Sequence, residues 1–312
     1  MVKLGYVFPG QGSQSVGMLN TWRGNPVVEE TIAEASDVLA TDMWQLIERG
    51  PAEDLNNTVN TQPVMVASAI AIFRVWRSVC PLQPTWAAGH SVGEISALTA
   101  AGAFGLADAL RLVRGRAQAM SKAVDEGSAG MAAVLGLEDL VVQDLCERCA
   151  QGEVLEPVNY NAPGQIVVAG HVAAIERIRR AAKAAGAKMV FVLPVSGPFH
   201  SSLMRPATLA LADLLSNMEV RAPSFSVLHN SRLEKADEQT IKLALVEQLT
   251  RPVPWVQTIN RFVASGVTHV VEMGPGEVLT NMTRRIDPGV KVLPTYSPQA
   301  MEVVRESLSA KV

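Results

Sequence analysis

The sequence predicts an α/β protein in which an alternating strand–helix layer is interrupted, at 128–194, by a smaller β-α-β-β-α-β unit. Short apolar runs alternate with amphipathic segments on either side of that interval, the pattern of a parallel sheet layered with helices. Within the interval two strands follow one another directly, which a simple βα alternation does not do. Of 312 residues, 48% are hydrophobic and 18% charged, against a usual charged share of about 25%. That composition excludes a disordered chain and supplies a large core. With aromatics at 5%, the core must be mostly Ala, Val, Leu, Ile and Met.

The elements follow in order. Lys3 to Phe8 reads as a buried strand. Asn25-Pro26, followed by Glu29 and Glu30, reads as a helix start, with Asn as cap, Pro in the first turn and acids at the positive end of the dipole. Gln62 to Val79 is helical and strongly apolar. Thr85 to Ala88 is a short strand, with a helix from Gly93 and another over Ala107 to Val124. Met131 to Leu135, Glu138 to Ala150, Val154 to Tyr160, Gln165 to Ala169, Val172 to Ala185 and Lys188 to Leu193 alternate as β-α-β-β-α-β, the ferredoxin-like split unit, with Ala162-Pro163-Gly164 as the turn between the adjacent strands. The large layer is therefore expected to be discontinuous, 1–127 and 195–312. It resumes with helix Ser201 to Met218, strand Phe225 to Leu228, helices at 239–249 and 255–265, strand Val267 to Glu272, a helix from Glu277 and strand Val290 to Leu293.

A formal net charge of −3 provides no bulk positive field for nucleic acid or anionic lipid. The N-terminal stretch lacks a signal-peptide pattern, and the best apolar run, Pro63 to Phe73, is far shorter than the roughly 20 residues a membrane span needs. The expected location is the cytoplasm, with no membrane and no nucleic acid as partner. Three cysteines without a secretory signal argue against a disulfide framework. Cys146 and Cys149 form a CxxC inside a predicted helix with no second ligand pair, so they read as structural, and no metal site is expected.

The chemistry concentrates in a few residues. Gly89-His90-Ser91-Val92-Gly93 is a GxSxG between a predicted strand and a predicted helix, the context of a nucleophile elbow. The turn would expose Ser91 Oγ, and the Val92 N–H at the helix start could donate to an oxyanion. Serine needs a base. Of His90, His171, His200, His229 and His269, the best placed is His200, in the loop that leaves the small unit and re-enters the large one. His229 and His269 fall in predicted strands, His171 at a helix start, and the His90 side chain should point away from Ser91. No acid between Ser91 and His200 completes a triad. Arg116 falls in the middle of the apolar arc of its helix at about 100° per residue. A buried guanidinium needs an anion, either a core acid or a substrate carboxylate held bidentately. Gly10-Gln11-Gly12-Ser13-Gln14 follows a strand, but Ser15 breaks the dinucleotide spacing; such a turn can supply a backbone N–H to an oxyanion hole instead. Arg177, Arg180 and Lys183 form a basic stripe that is either a solvated face or a dock for an acidic protein.

Motifs spanning nearly the whole chain resemble, in order, those of the malonyl-CoA:acyl carrier protein transacylases of bacterial fatty-acid synthesis: FPGQGSQSVGM (8–18), NTQPVMVAS (60–68), AGHSVGE (88–94), RGRAQAM (114–120), NYNAPGQIVVAG (159–170), GPFHSSLM (197–204) and VEMGPGEVLT (271–280). The resemblance implies a hydrolase-like large domain with a ferredoxin-like insertion. It implies Ser91 as nucleophile, His200 as general base oriented by the backbone carbonyl of Gln248, Gln11 and Val92 as oxyanion N–H donors, and Arg116 as the holder of the malonyl carboxylate. Gln62 matches a position near that carboxylate, and Asn159 and Asn161 match residues lining the cleft. Phe199, before the histidine, matches the bulky residue of malonyl-selective relatives. The implied reaction is ping-pong malonyl transfer from malonyl-CoA to the phosphopantetheine thiol of holo acyl carrier protein, with no cofactor of the enzyme's own. Because no long exposed apolar patch is readable in the sequence, a monomer is expected. Rival readings are a thioesterase, a malonyl-transferring subunit of malonate decarboxylation, a polyketide-assembly loader and a silent carrier-binding scaffold.

Overall fold

The computed structural model describes residues 2–309. The chain begins with β1 (Leu4–Phe8), α1 (Pro26–Leu39), α2 (Met43–Arg49), α3 (Ala52–Asn56) and α4 (Thr58–Val79), then β2 (Trp86–Gly89), α5 (Gly93–Ala100) and α6 (Leu106–Ser121). A second group follows: β3 (Ala129–Leu135), α7 (Asp139–Ala150), β4 (Leu155–Ala162), β5 (Gln165–His171), α8 (Val172–Ala184) and β6 (Met189–Val192). The chain closes with α9 (Arg205–Ser216), α10 (Ile241–Gln248), α11 (Trp255–Ala264), β7 (His269–Glu272), α12 (Val278–Ile286), β8 (Lys291–Pro294) and α13 (Pro298–Ser309).

Local chemistry sets several of these boundaries. Asn25 Oδ1 accepts from the N–H groups of Val27 and Val28, with Pro26 at the first helical position, as the sequence indicates. Helix α4 starts at Thr58 rather than at Gln62, with Asn57 as its cap. Its first turns carry Thr58, Thr61 and Gln62, polar residues that are nevertheless buried. An apolar-pattern reading therefore begins the helix one turn late. The helices α2, α3 and α13 were not visible in the pattern. The expected helix from Ser201 opens instead as a 3-10 turn, Ser202–Met204, before α9.

Two sheets result. The first is parallel, in the order β2-β1-β7-β8. Phe8 pairs with Gly89 and Val7 with Glu272, so the carboxyl ends of three strands lie level. The turns after β1, β2 and β7 consequently meet at one edge, where open α/β sheets hold their ligands. The second sheet is antiparallel, in the order β4-β5-β3-β6, which is the ferredoxin-like arrangement. Its own apolar cluster, including Val134, Val142, Leu145, Ile166, Ile175 and Ile178, lies beneath α7 and α8. Its other face contributes Met131, Ala133, Val158, Val167 and Ala169 to the main core.

The expected strand Phe225 to Leu228 does not form; only isolated bridges, Ala87↔Val227 and Leu228↔Lys235, occur there. The segment touches β2 through Ala87 N–H to Ser226 and Leu228 N–H to Ala87, then leaves the sheet at His229 to reach the turn after β2. His229 is thus a loop residue, while His269 does lie in β7. The turn between β4 and β5 is Pro163-Gly164 alone, since Ala162 pairs with Gln165 as part of β4. Cys80, Cys146 and Cys149 are buried free thiols. Burial pushes the Cys146 thiol up to about 12, beyond thiolate chemistry at neutral pH. The basic stripe is not a plain solvated face: Arg177 turns to the carbonyls of Cys149 and Ala150 at the end of α7 and to Glu153. Among the described residues no helix is long and apolar enough to cross a membrane, and no group of three His, Cys, Asp or Glu could hold a metal ion.

Candidate active site

The site begins where β2 turns into α5. A Cβ on Gly89 would sit 1.8 Å from the Gly93 carbonyl carbon, and one on Gly93 would sit 2.2 Å from Phe8 O. Only glycine allows the strand end and helix start to pass this closely. Between them Ser91 takes a left-handed φ of 54°, a conformation that costs free energy and clusters at functional sites. The side-chain amide of Asn230 holds the turn from below. Its Oδ1 accepts from Ser91 N–H at 3.0 Å and its Nδ2 donates to Gly89 O at 2.8 Å. With the Ser91 amide so occupied, the next amide, Val92 N–H, has no acceptor among the described residues. The same holds for the Gln11 N–H in the turn after β1.

Ser91 Oγ lies 2.7 Å from His200 Nε2. On the other side of the ring, His200 Nδ1 lies 2.8 Å from the backbone carbonyl of Gln248. A carbonyl only accepts, so Nδ1 carries the proton and the Nε2 lone pair faces the serine hydroxyl. The chain therefore needs no carboxylate to orient the ring, which accounts for the missing triad acid. His200 itself has a φ of 66°. Burial, aided by the nearby Arg116 charge, lowers its pKa to about 3, so the imidazole is neutral across the physiological range.

Arg116 projects from the buried face of α6, as its place on the helix indicates. Its Nη1 donates to Gln62 Oε1 at 2.8 Å, and its Nη2 donates to Gln248 Oε1 at 2.7 Å and to Ser91 Oγ at 3.3 Å. No carboxylate ion-pairs with it among the described residues, and its buried Nε has no acceptor there. The two anions left open for it by the sequence thus reduce in one respect: no core acid touches it. Burial lowers its pKa to about 10, with the Glu94 charge opposing, so it stays protonated at neutral pH.

These groups open into a cavity of about 510 Å³ between the two sheets. Its walls bring together all but one of the residues expected at the site: Gln11, Gln62, Ser91, Val92, Arg116, Asn159, Asn161, Phe199 and His200. Gln248 lies behind the wall, 1% exposed, and acts on the site through its carbonyl and its amide. Irregular pairing along β4 accompanies the inward placement of Asn159 and Asn161.

Sequence reasoning missed three participants. His90 turns away from Ser91 but still lines the cavity, and its Nε2 meets Asn161 Oδ1 at 2.8 Å, bridging the elbow to the small sheet. Asn230 left no signal, because the segment holding it read as a strand end. Glu94, fully buried at the start of α5, carries the one charged side chain of the GEISALTA helix.

Parallel strands with a serine elbow at their carboxyl edge define an α/β protein of the hydrolase-like class. Within that class, the chain belongs to the acyl transferase domain family, whose model matches residues 5–307. It is similar to the malonyl CoA-acyl carrier protein transacylase of Salmonella typhimurium, at 48% identity over 92% of this chain and 93% of the relative. Against the protein of that description from Escherichia coli K12, identity is 46% over 98% of this chain and 100% of the relative. The crystal structure of an acyl-carrier-protein S-malonyltransferase from Burkholderia pseudomallei matches with a TM-score of 0.96 and 48% identity, covering 98% of this chain and 100% of that one. A malonyl-transacylase solved in complex with its type II PKS acyl-carrier protein matches with a TM-score of 0.96 and 42% identity, covering 98% and 99%.

Proposed function

We propose that this chain transfers the malonyl group from malonyl-CoA to the phosphopantetheine thiol of holo acyl carrier protein, through a malonyl-Ser91 intermediate, supplying fatty-acid synthesis. The observation that carries the reading is the buried Arg116 guanidinium within 3.3 Å of Ser91 Oγ, with no carboxylate of its own. A cation so placed suits a substrate that carries an anion a few bonds from the carbonyl under attack, and the planar fork suits a carboxylate.

The steps follow from the geometry. His200 Nε2 takes the Ser91 proton as Oγ bonds to the thioester carbon. The N–H groups of Gln11 and Val92 donate to the oxygen that becomes negative. The C–S bond breaks, and His200 returns the proton to the coenzyme A sulfur. Malonyl-Ser91 remains, its carboxylate on Arg116 beside Gln62. The carrier's thiol then gives its proton to His200, attacks the acyl-serine carbon and releases Ser91 Oγ, which recovers the proton. This is ping-pong transfer. The Gln248 carbonyl keeps the His200 proton on Nδ1 throughout. Phe199, Asn159 and Asn161 shape the malonyl end of the cavity. The segment 128–194 acts as an inserted small domain forming the opposite wall, and 1–127 with 195–312 as the large domain. The same reading assigns a monomer in the cytoplasm with no cofactor of its own, the carrier bringing its phosphopantetheine.

Intact mass tests this reading. Mixing with malonyl-CoA should add one malonyl group, stable in water and lost to holo acyl carrier protein on its addition. An adduct that hydrolyses without the carrier would make the chain a thioesterase, and no adduct from any acyl-CoA would leave a silent scaffold.

A further inference from the structure

The side-chain amide of Gln248 can lie either way round, and the two orientations are opposite in effect on Arg116. With Oε1 toward Nη2 the guanidinium has an acceptor; reversed, two donors face one another. The observed bonds fix the choice from both ends. A guanidinium only donates, so the 2.7 Å contact to Arg116 requires Oε1 there. At the other end, Gln248 Nε2 lies 2.6 Å from Glu94 Oε2, and a carboxylate only accepts. Nε2 also donates to Ser91 O at 3.1 Å.

Glu94 is itself held without freedom. Its Oε2 accepts from the backbone N–H of Asn230 at 3.0 Å, and its Oε1 from His229 Nδ1 at 2.7 Å, with His229 Nε2 3.3 Å from Thr240 Oγ1. Glu94, His229, Asn230, Gln248 and Arg116 are all buried. A carboxylate is costly in such a place unless fully bonded and serving something. Glu94 touches neither Ser91 Oγ nor His200, and the reaction as derived does not use it.

We infer that Glu94 is a positioning residue: it holds the Gln248 amide in the one orientation that offers Arg116 an acceptor, and so keeps the guanidinium set to receive the substrate carboxylate. The inference rests on the reading of Arg116 as the carboxylate holder. What Glu94 supplies here is an acceptor at a fixed point, and this separates it from a simple counter-charge.

Two conservative variants distinguish the roles. In Glu94→Gln the charge is lost but the acceptor can stay. The Asn230 N–H demands an oxygen at the position of Oε2, so the new amide turns its NH2 toward His229, which accepts on Nδ1 and donates from Nε2 to Thr240. In Glu94→Asp the charge stays but the acceptor withdraws by one methylene, about 1.5 Å, too far to bond Gln248. The readout is the ratio of kcat/KM for malonyl-CoA over acetyl-CoA, with KM and kcat separated. Loss of fold alone would lower both substrates together and leave the ratio. Glu94→Gln should keep the ratio within about threefold of the parent, whereas Glu94→Asp should lower it by about tenfold or more, through malonyl-CoA KM, as expected for a disturbed bond to a charged group. A ratio in Glu94→Asp equal to or higher than in Glu94→Gln overturns the positioning role. Arg116→Ala serves as the reference: if it keeps the malonyl preference, the carboxylate reading itself fails; if it loses the preference while Glu94→Asp does not, only the role of Glu94 fails.

Discussion

The parallel sheet and its helices bury carboxylate, guanidinium, imidazole and amide side chains together, while the antiparallel sheet buries two amides and, among the described residues, no acidic or basic side chain. Glu94, Arg116, His200, His229, Asn230, Gln248 and Glu272 are all buried in the large layer. Over 129–192, the buried polar side chains are Asn159 and Asn161 alone among the described residues, and both line the cavity. Buried polar groups cost free energy unless bonded, and all of those named in the large layer but Glu272 bond in one connected network from Thr240 to Ser91. The small sheet instead has an apolar cluster under two amphipathic helices. The contrast teaches that one region was shaped around chemistry and the other around stability, lending the site a wall. Glu272 shows that the large layer also uses buried charge for architecture: it accepts from Leu279 and Thr280 N–H at the start of α12, while burial raises its pKa to about 7.

Variants in each region can break or sharpen that contrast. The largest effect is expected for Ser91→Ala, which should abolish the malonyl adduct by intact mass and lower transfer by roughly a thousandfold or more. His200→Ala should follow, at about 10²–10⁴-fold in the acylation rate by stopped-flow or quench. In the parent, the acid limb of kcat/KM reports the base in the free enzyme. Because His200 is depressed to about 3, the neutral base persists as pH falls through 6.5, and the profile should stay flat there; a limb near the ordinary histidine value would contradict the buried neutral ring. Asn161→Ala removes the tie from β4 to His90 together with one amide of the cavity wall and should cost transfer between about two- and tenfold. Ile178→Ala, in the small sheet's cluster, should destabilise by about 2–5 kcal/mol in denaturant melts and leave the malonyl-to-acetyl ratio unchanged. A shift in that ratio would show that the small region does more than form a wall.

Much of this was legible in the sequence, because strands, elbow and helix faces leave local patterns. Ser91 is announced by flanking glycines, and Arg116 by a cation in an apolar arc. His200 is announced by its place at the re-entry loop. What was not legible depends on long-range packing. Asn230 and His229 sit on a segment whose apolar residues suggested a strand, yet only isolated bridges form and the chain turns to brace the elbow. Helix α4 began earlier than its apolar run because its first turns bury polar side chains toward the site. The His90 side chain turns away from Ser91, as its place in the elbow indicates, but its reach along the cavity wall to Asn161 leaves no local signal. The carbonyl that orients His200 belongs to Gln248, forty-eight residues away; backbone groups carry no residue-type signal, so only the family resemblance pointed to it.

The central claim is that the buried guanidinium of Arg116 reads the substrate carboxylate. It is tested most directly by measuring kcat/KM for malonyl-CoA and acetyl-CoA in the parent and in Arg116→Ala. The account predicts that the malonyl value falls by about a hundredfold, as for loss of a charge-assisted pair of hydrogen bonds, while acetyl-CoA gains relative to it. An unchanged preference for malonyl-CoA in Arg116→Ala would contradict the account.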